Sequence, residues 1–167
     1  RLFLVIVLAV ASTATHASIS NSNDSTILII GDSLSAGLGV AYNQAWPSLL
    51  QDRLNKEGFS IQVVNAGISG DTTAGGAERL PKLLGKYAPE IVVIELGGND
   101  GLRGTSINSI ESNLRSMIEA ALDRDAKILL IGMQLPPNYG NAYATSFQNL
   151  FPELASAYSI GLVERLI

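Results

Sequence analysis

The sequence predicts an α/β fold, in which a five-stranded parallel sheet lies between two layers of helices as a three-layer α/β/α sandwich. The 167 residues are enough for one domain of ordinary size. Continuous apolar, β-branched runs are typical of strands buried on both faces, and segments with helical periodicity separate them. Strands that alternate with helices of this length form right-handed βαβ units, which give a parallel sheet with helices on both faces.

The first half of the chain contains two predicted pairs of a strand and a helix. Thr26–Ile30 is an unbroken apolar run and predicts the first strand. Ala45–Glu57 has apolar side chains at helical spacing, a proline in its first turn and Gly58 just beyond its end, so it predicts a helix. Ser60–Val64 predicts the second strand, and the apolar stripe of Thr72–Tyr87 predicts the second helix.

The second half continues the alternation. Ile91–Leu96 predicts the third strand, and Ser106–Leu122, with apolar residues at the i, i+3, i+4, i+7 spacing, predicts a helix. Lys127–Met133 predicts the fourth strand and Ala142–Tyr158 the helix that follows it. The apolar segment Ile160–Ile167 predicts the fifth strand, and a domain that stops on such a strand indicates a truncated carboxyl end.

The amino-terminal segment is typical of a secretory signal peptide. An apolar run, Leu2–Ala11, precedes a polar stretch that ends in small residues at Ala17. A membrane anchor is the alternative, but a span needs about 20 apolar residues and this run is about half as long. We therefore expect residues 1–17 to be a signal peptide cut after Ala17, or else after Ala14. Residues 18–167 are then a domain that is periplasmic or secreted and not stably inserted in a membrane.

Composition excludes several classes of function. The chain has 11 Lys and Arg against 15 Asp and Glu, a net charge of −4, so its surface repels phosphate backbones and we expect no nucleic-acid binding. Because the chain has no cysteine, disulfide bonds and thiolate zinc sites are impossible. The one histidine, His16, lies in the predicted signal peptide, so the mature chain as given has no imidazole.

Polar, glycine-rich loops follow three of the predicted strands, at Gly31–Gly37, Asn65–Asp71 and Gly97–Gly101. In doubly wound parallel sheets the loops at the carboxyl ends of the strands carry the functional groups. Because these three loops open onto the same edge of the sheet, we expect the functional site there.

Ser33 is the candidate nucleophile at this edge. It follows a buried strand and a glycine that permits a sharp turn, so its hydroxyl is expected at the rim of the sheet. The alternative is that Asp32, Ser33 and Ser35 only cap the following helix, and position alone does not separate the two interpretations. The G-x-S-x-G elbow is absent, because Ser35 occupies its last position.

Gly70 and Asn99 are candidates for an oxyanion hole. Acyl transfer by a serine develops negative charge on the carbonyl oxygen, and fixed N–H donors stabilise that charge. The backbone N–H of Gly70 and the amide of Asn99 are suitable donors. Alternatively, each residue belongs only to a turn, with Gly70 before an N-cap and Asn99 in a tight loop. Taken together with Ser33, they favour a catalytic interpretation.

These loops resemble the first three sequence blocks of the GDSL, or SGNH, hydrolase family. The matching residues are Gly31–Ser35, the glycine of Ile68–Asp71, and Gly97–Asp100. Within the family the chain is most similar to bacterial periplasmic enzymes of the thioesterase I/protease I/lysophospholipase type and to arylesterases, as Ala45–Pro47, Glu95–Gly104 and Leu135–Gly140 indicate. The resemblance extends from Thr26 to the last residue and implies a flavodoxin-like sheet.

The resemblance also implies the catalytic roles. Ser33 is the nucleophile, and the Ser33 N–H, the Gly70 N–H and the Asn99 side chain form the oxyanion hole, with no metal or cofactor. The family's base comes from an Asp-x-x-His block near the carboxyl terminus, which this sequence does not contain. We therefore expect the chain as given to be nearly inactive, because a serine hydroxyl needs a base and Asp71 and Asp100 are poor substitutes near neutral pH.

Two further segments are candidates for substrate contacts. The loop that contains Asp100, Gly101, Leu102 and Arg103 resembles a mobile substrate-contacting loop of similar enzymes, although an exposed connector is the alternative. Pro137 belongs to a segment after the fourth strand, with its neighbour Pro136 and with Tyr139, that either walls an acyl groove or packs rigidly.

The sequence thus predicts a monomeric serine hydrolase that cleaves small-molecule acyl esters or thioesters through an acyl-enzyme intermediate. A nucleotide- or phosphate-binding module is one alternative. It is disfavoured because the Gly31–Gly39 loop has no Walker lysine and no G-x-G-x-x-G, and has Asp32 where phosphate would lie. A catalytically inactive relative that binds a partner is the other alternative.

Overall fold

The computed structural model describes residues 25–164 of the chain. Its strands are β1 (Ser25–Gly31), β2 (Ile61–Gly67), β3 (Ile91–Glu95), β4 (Lys127–Ile131) and β5 (Gly161–Val163). All neighbouring strands pair in parallel, in the order β2-β1-β3-β4-β5. The predicted five-stranded parallel sheet is confirmed. The predicted signal peptide, residues 1–17, lies outside the described residues.

Four long helices and several one-turn helices connect the strands. The helices are α1 (Ser33–Ala36), α2 (Trp46–Lys56), α3 (Thr73–Tyr87), α4 (Gly98–Leu102), α5 (Ile107–Leu122) and α6 (Asn141–Tyr158), with single 3-10 turns at Tyr42–Gln44 and Pro137–Tyr139. The long helices lie within one residue of their predicted bounds. Three of them start one residue late. For α3 and α5 the reason is that Thr72 and Ser106 serve as N-caps, with side-chain oxygens that accept backbone N–H groups.

The second strand differs from its prediction, which ended it at Val64. It continues to Gly67, so the segment Asn65–Gly67 pairs with the end of β1 instead of forming a loop. Two tertiary contacts hold this extension. The amide of Asn65 donates to the Ser35 carbonyl at 2.7 Å, and Gly67 passes so close to the Ser35 backbone that a Cβ atom would lie 2.8 Å from its carbonyl carbon.

The fourth strand is shorter than its prediction, and part of the predicted fifth strand lies outside the described residues. Strand β4 ends at Ile131, and the next residue, Gly132, donates its N–H to the carbonyl of Val163 at 2.8 Å. Strand β5 is described only as Gly161–Val163, and residues 165–167 lie outside the described part of the chain.

The strand residues point alternately to two cores. On one face, Ile27 and Ile29 pack with residues of α2 such as Trp46. On the other face, Leu28 and Ile30 pack with α3, α5 and α6. The sheet is thus covered on both faces, and the predicted three-layer arrangement is confirmed.

The strand order creates a switch point between β1 and β3. The chain moves from β1 outward to β2 and then returns to the other side of β1 to form β3. Ligand sites of doubly wound sheets lie at such a point, outside the carboxyl ends of the strands. Gly31 and Glu95 are paired there, and the residues after them form the candidate site.

Candidate active site

Ser33 is the first residue of α1, directly beyond the carboxyl end of β1. Asp32 caps this short helix, because its Oδ1 accepts the N–H of Leu34 at 3.0 Å. Gly37 ends the helix with a φ of 76°, a left-handed conformation that glycine adopts without steric cost. The capping interpretation is therefore confirmed for Asp32, whereas Ser35 binds a neighbouring strand instead. The Ser33 side chain is half-buried.

Asn99 connects all three loops of the site. It lies in α4, which begins after Gly97, a residue with a φ of 124°. The Nδ2 of Asn99 donates to Oδ2 of Asp32 at 3.0 Å and to the carbonyl of Asp71 at 2.8 Å. The asparagine amide is thus oriented by the loops after β1 and β2 at the same time.

Gly70 lies in a tight turn after β2. The N–H of Asp71 donates to the carbonyl of Ile68 at 3.0 Å, and Gly70 has a φ of 81° at the third position of this turn. A positive φ at that position is typical of a type II turn and favours glycine. The Gly70 carbonyl accepts a hydrogen bond from Arg103 at 3.1 Å, which ties this turn to the end of α4.

A cavity of about 330 Å³ opens beside Ser33 at the switch point. Its walls come from the ends of three strands, and most of its side chains are apolar. The lining residues are Asp32, Ser33, Leu34, Glu95, Gly98, Asn99, Leu102, Ile131, Gly132, Met133, Gln134, Leu135 and Pro136. We call this space the site cavity. Ser33 and Asn99 both border it, whereas Gly70 is not among the described residues that line it.

The predicted substrate-contacting residues have different surroundings. Leu102 lines the site cavity, and Arg103 holds the Gly70 turn. Gly101 is buried, and a Cβ atom there would lie 2.6 Å from Leu135. The Pro137 backbone forms part of a 3-10 turn, and its neighbour Pro136 lines the cavity.

Asp100 is buried away from the cavity and is fully engaged by Thr73. Its exposed fraction is 2%, and its two oxygens accept from the N–H of Thr73 at 2.9 Å and from Oγ1 of Thr73 at 2.7 Å. Asn113 donates to the same Thr73 hydroxyl at 3.1 Å. These contacts join α4 to the start of α3 and give Asp100 a structural task.

Sequence reasoning did not single out Glu95, which lies beneath the turn that carries Ser33. The side chain is completely buried, and its Oε2 accepts from Oγ of Ser35 at 2.6 Å and from the N–H of Asp32 at 3.3 Å. Burial raises the pKa of Glu95 to about 7, even though the Ser35 hydrogen bond lowers it. A single carboxylate at the end of an otherwise apolar strand was the available signal.

Asp32 also has a raised pKa. Burial is the largest cause, and the nearby acidic Asp71 adds to it, while the hydrogen bond from the Leu34 N–H acts in the opposite direction. Asp71 itself pairs with Arg79 at 2.8 Å. The site is therefore a cluster of carboxyl groups in which one has an arginine partner.

Neither a membrane span nor a metal cluster is seen in residues 25–164. No helix in this range is both long and apolar enough to cross a bilayer. No set of three or more His, Cys, Asp or Glu side chains in the same range is arranged to hold a metal ion.

The fold and the site define the class of this protein, a three-layer α/β/α sandwich with a serine and an asparagine at the switch point of its parallel sheet. The chain belongs to the GDSL-like Lipase/Acylhydrolase family, whose sequence profile matches residues 29–164. This match confirms the resemblance that the three loop motifs indicated. Membership of this family supports an ester hydrolase function for the protein.

Named relatives agree with this assignment. Esterase TesA of Pseudomonas aeruginosa is 51% identical over 138 residues, which cover 83% of this chain and 69% of that esterase. Thioesterase 1/protease 1/lysophospholipase L1 of Escherichia coli is 44% identical over 138 residues, which cover 83% of this chain and 65% of that protein. The crystal structure of AlinE4, an SGNH-hydrolase family esterase, is 40% identical with a TM-score of 0.82, covering 87% of this chain and 78% of that chain.

Proposed function

We propose that this protein cleaves acyl esters and thioesters of small molecules through an acyl-enzyme intermediate on Ser33. The observation that carries the proposal is the position of Ser33 at the carboxyl end of β1, half-buried in the wall of the site cavity, which Asn99 also lines. A hydroxyl on a rigid strand end and a capped helix is fixed relative to a bound substrate, which favours attack.

The proposed reaction has two halves. Oγ of Ser33 attacks the carbonyl carbon of the substrate and gives its proton to a general base, and the carbonyl oxygen becomes an oxyanion. The intermediate collapses as the bond to the alcohol or thiol breaks, and the leaving group takes the proton from the base. Water then attacks the acyl-serine in the same way, releases the carboxylic acid and restores the Ser33 hydroxyl.

The proposed oxyanion donors are the N–H groups of Ser33 and Gly70 and the side-chain amide of Asn99. In this structure both hydrogen bonds of the Asn99 amide go to protein acceptors, Asp32 and Asp71. One of them has to be shared with the substrate oxygen during reaction. Hydrogen bonds of catalytic groups often tighten onto the reacting atoms only in the bound complex.

The general base is proposed to be a histidine of an Asp-x-x-His segment that follows Ile167 in the full-length protein. Residues 25–164 contain no histidine. Asp71 and Asp100 are both held by hydrogen bonds within the protein, so neither is free to serve. A chain without the added segment is expected to keep the site cavity and to be nearly inactive.

The cavity walls support an acyl substrate. Leu34, Leu102, Met133, Leu135 and Pro136 provide apolar surface beside Ser33, which suits a hydrocarbon chain. The relatives named above are an esterase and a thioesterase with lysophospholipase activity in its name, so both ester and thioester substrates are proposed. We also propose that residues 1–17 are removed and that the domain acts as a monomer in the periplasm or outside the cell.

The test is covalent labelling of the full-length protein with a fluorophosphonate, followed by mass spectrometry of the labelled peptide. We expect time-dependent labelling at Ser33 that is lost in Ser33→Ala and kept in Ser156→Ala, a matched change on the exposed surface of α6. Labelling that survives Ser33→Ala contradicts the mechanism. Binding of an ester without labelling or turnover favours the inactive, partner-binding alternative.

A further inference from the structure

Glu95 occupies a position between the sheet and the nucleophile. It is the last residue of β3 and is paired with Gly31, the last residue of β1, so its side chain lies beneath the turn that carries Ser33. It is completely buried, and it also lines the site cavity. A carboxyl group here contacts the backbone on which the nucleophile is mounted.

The contacts of Glu95 are concentrated on one oxygen. Oε2 accepts from the Ser35 hydroxyl at 2.6 Å and from the Asp32 N–H at 3.3 Å, and these two residues flank Ser33 on both sides. Gly31 leaves room for this pairing, since a Cβ atom there would lie 2.6 Å from Oε2 of Glu95. One acceptor oxygen therefore contacts the turn on both sides of Ser33.

The other oxygen accepts no hydrogen bond from any group in residues 25–164. Oε1 of Glu95 is buried and unpaired among the described residues. An acceptor needed only for stability is expected to be fully satisfied, because a buried unpaired oxygen costs free energy. Local violations of this kind concentrate at functional sites.

The carboxyl group also has an unusual charge environment. Burial, with a smaller contribution from the neighbouring Asp32 carboxyl, raises the pKa of Glu95 to about 7, although the hydrogen bonds from Ser35 and from the Asp32 N–H act in the opposite direction. None of the ion pairs in residues 25–164 involves Glu95. Its charge thus changes near neutral pH, in direct contact with the turn.

We propose that Glu95 is a positioning residue for Ser33: it holds the turn by accepting hydrogen bonds from Ser35 and the Asp32 N–H, and holds it more tightly when charged. The inference rests on the proposed function of Ser33. A charged acceptor forms shorter and stronger hydrogen bonds than a neutral one, so the ionised carboxylate restrains the turn best. Glu95 does not touch the substrate carbonyl and acts only through its two partners.

The experiment compares kcat and KM of the full-length enzyme for a p-nitrophenyl ester in four variants. Glu95→Leu removes the acceptor, Glu95→Gln keeps an acceptor oxygen without a charge, Ser35→Ala removes one donor, and Leu84→Ala disturbs the core on α3 at a distance. We expect kcat of Glu95→Leu to fall by about tenfold to a hundredfold with KM within about twofold, as for a misplaced nucleophile. The kcat of Ser35→Ala is expected to lie between those of wild type and Glu95→Leu. The kcat of Glu95→Gln is expected within about threefold of wild type at pH 6, and the folded Leu84→Ala enzyme is expected to keep the wild-type kcat.

The pH dependence provides a readout that a purely structural role does not move. We expect the ratio of kcat between wild type and Glu95→Gln to rise between pH 5.5 and 8.5 with a midpoint near 7, because only the wild-type carboxyl gains charge. A kcat for Glu95→Leu within about twofold of wild type, or a flat ratio, overturns the inference while Ser33 labelling in wild type upholds the proposed function. Absence of Ser33 labelling in wild type overturns both.

Discussion

Asp32 holds the side chain of Asn99 in place: Nδ2 of Asn99 lies 3.0 Å from Oδ2 of Asp32, although the two residues are 67 positions apart in the sequence. The same aspartate caps α1 through its other oxygen. One carboxylate therefore fixes both the helix that begins with Ser33 and the amide proposed to stabilise the oxyanion.

Asp32→Asn is expected to separate these two tasks. Asparagine caps helices as well as aspartate does, but its NH2 group would face the NH2 group of Asn99. We expect kcat to fall about tenfold or more, while the free energy of unfolding in urea changes by less than about 1 kcal/mol. Asp32→Ala removes the cap as well and is expected to lose about 1 kcal/mol more. An unchanged kcat in Asp32→Asn contradicts the role of Asp32 in orienting the Asn99 amide.

Asn99→Ala tests the oxyanion proposal directly. Loss of one preorganised donor costs about a hundredfold to a thousandfold in kcat in related cases, with little effect on substrate binding. Steady-state kinetics on a short-chain ester measure kcat and KM, and circular dichroism confirms that the variant is folded. A loss confined to KM would place Asn99 in ground-state binding and would rule out its proposed role.

Thr73→Val tests whether Asp100 is structural or contacts substrate. The variant keeps the side-chain shape and removes the hydroxyl that binds Asp100 and Asn113. We expect a loss of about 2 kcal/mol in the free energy of unfolding, since a buried carboxyl group loses a hydrogen bond, with KM unchanged. The exposed Thr145→Val on α6 is the matched control and is expected to change stability by less than about 0.5 kcal/mol. A raised KM would instead support Asp100 as a substrate contact.

Gly70→Ala tests the turn after β2. A Cβ atom at this position meets nothing within 4 Å, so the expected cost of about 1 to 2 kcal/mol comes from the positive φ of 81° alone. Gly85→Ala, in an open position within α3, is the control and is expected to stabilise by about 0.5 to 1 kcal/mol. Thermal unfolding of both variants tests whether Gly70→Ala lowers the stability and Gly85→Ala raises it.

Stability should depend on the charge of Glu95. Its pKa is about 7 in the folded protein against an ordinary value of 4.5, so the folded state retains a proton that the unfolded state releases. The protonated Glu95 carboxyl contributes to the free energy of unfolding. This contribution is fully present below pH 4.5 and is lost as pH rises through 7, by a total of about 3 kcal/mol. Urea unfolding at pH 5 and pH 8 is expected to show wild type losing stability relative to Glu95→Gln, and equal losses in both would contradict the raised pKa.

Local patterns predicted most of the fold. The helix bounds were accurate because caps such as Ser106 and apolar spacing are encoded within a few residues. The end of β2 was missed because Asn65 and Gly67 are weak strand formers, and their pairing depends on contacts with Ser35 from a distant loop.

The sequence by itself determined the α/β class, the family, and the candidates Ser33, Gly70 and Asn99, because strand periodicity and short loop motifs are local. Only the tertiary structure decided that Asp100 is bound to Thr73 and that Glu95 lies beneath the turn that carries Ser33. Both carboxylates occur in the same motif region, and nothing in their spacing distinguishes a side chain that faces a cavity from one buried in a hydrogen-bond network. That distinction depends on the packing of strands and helices that are far apart in the chain.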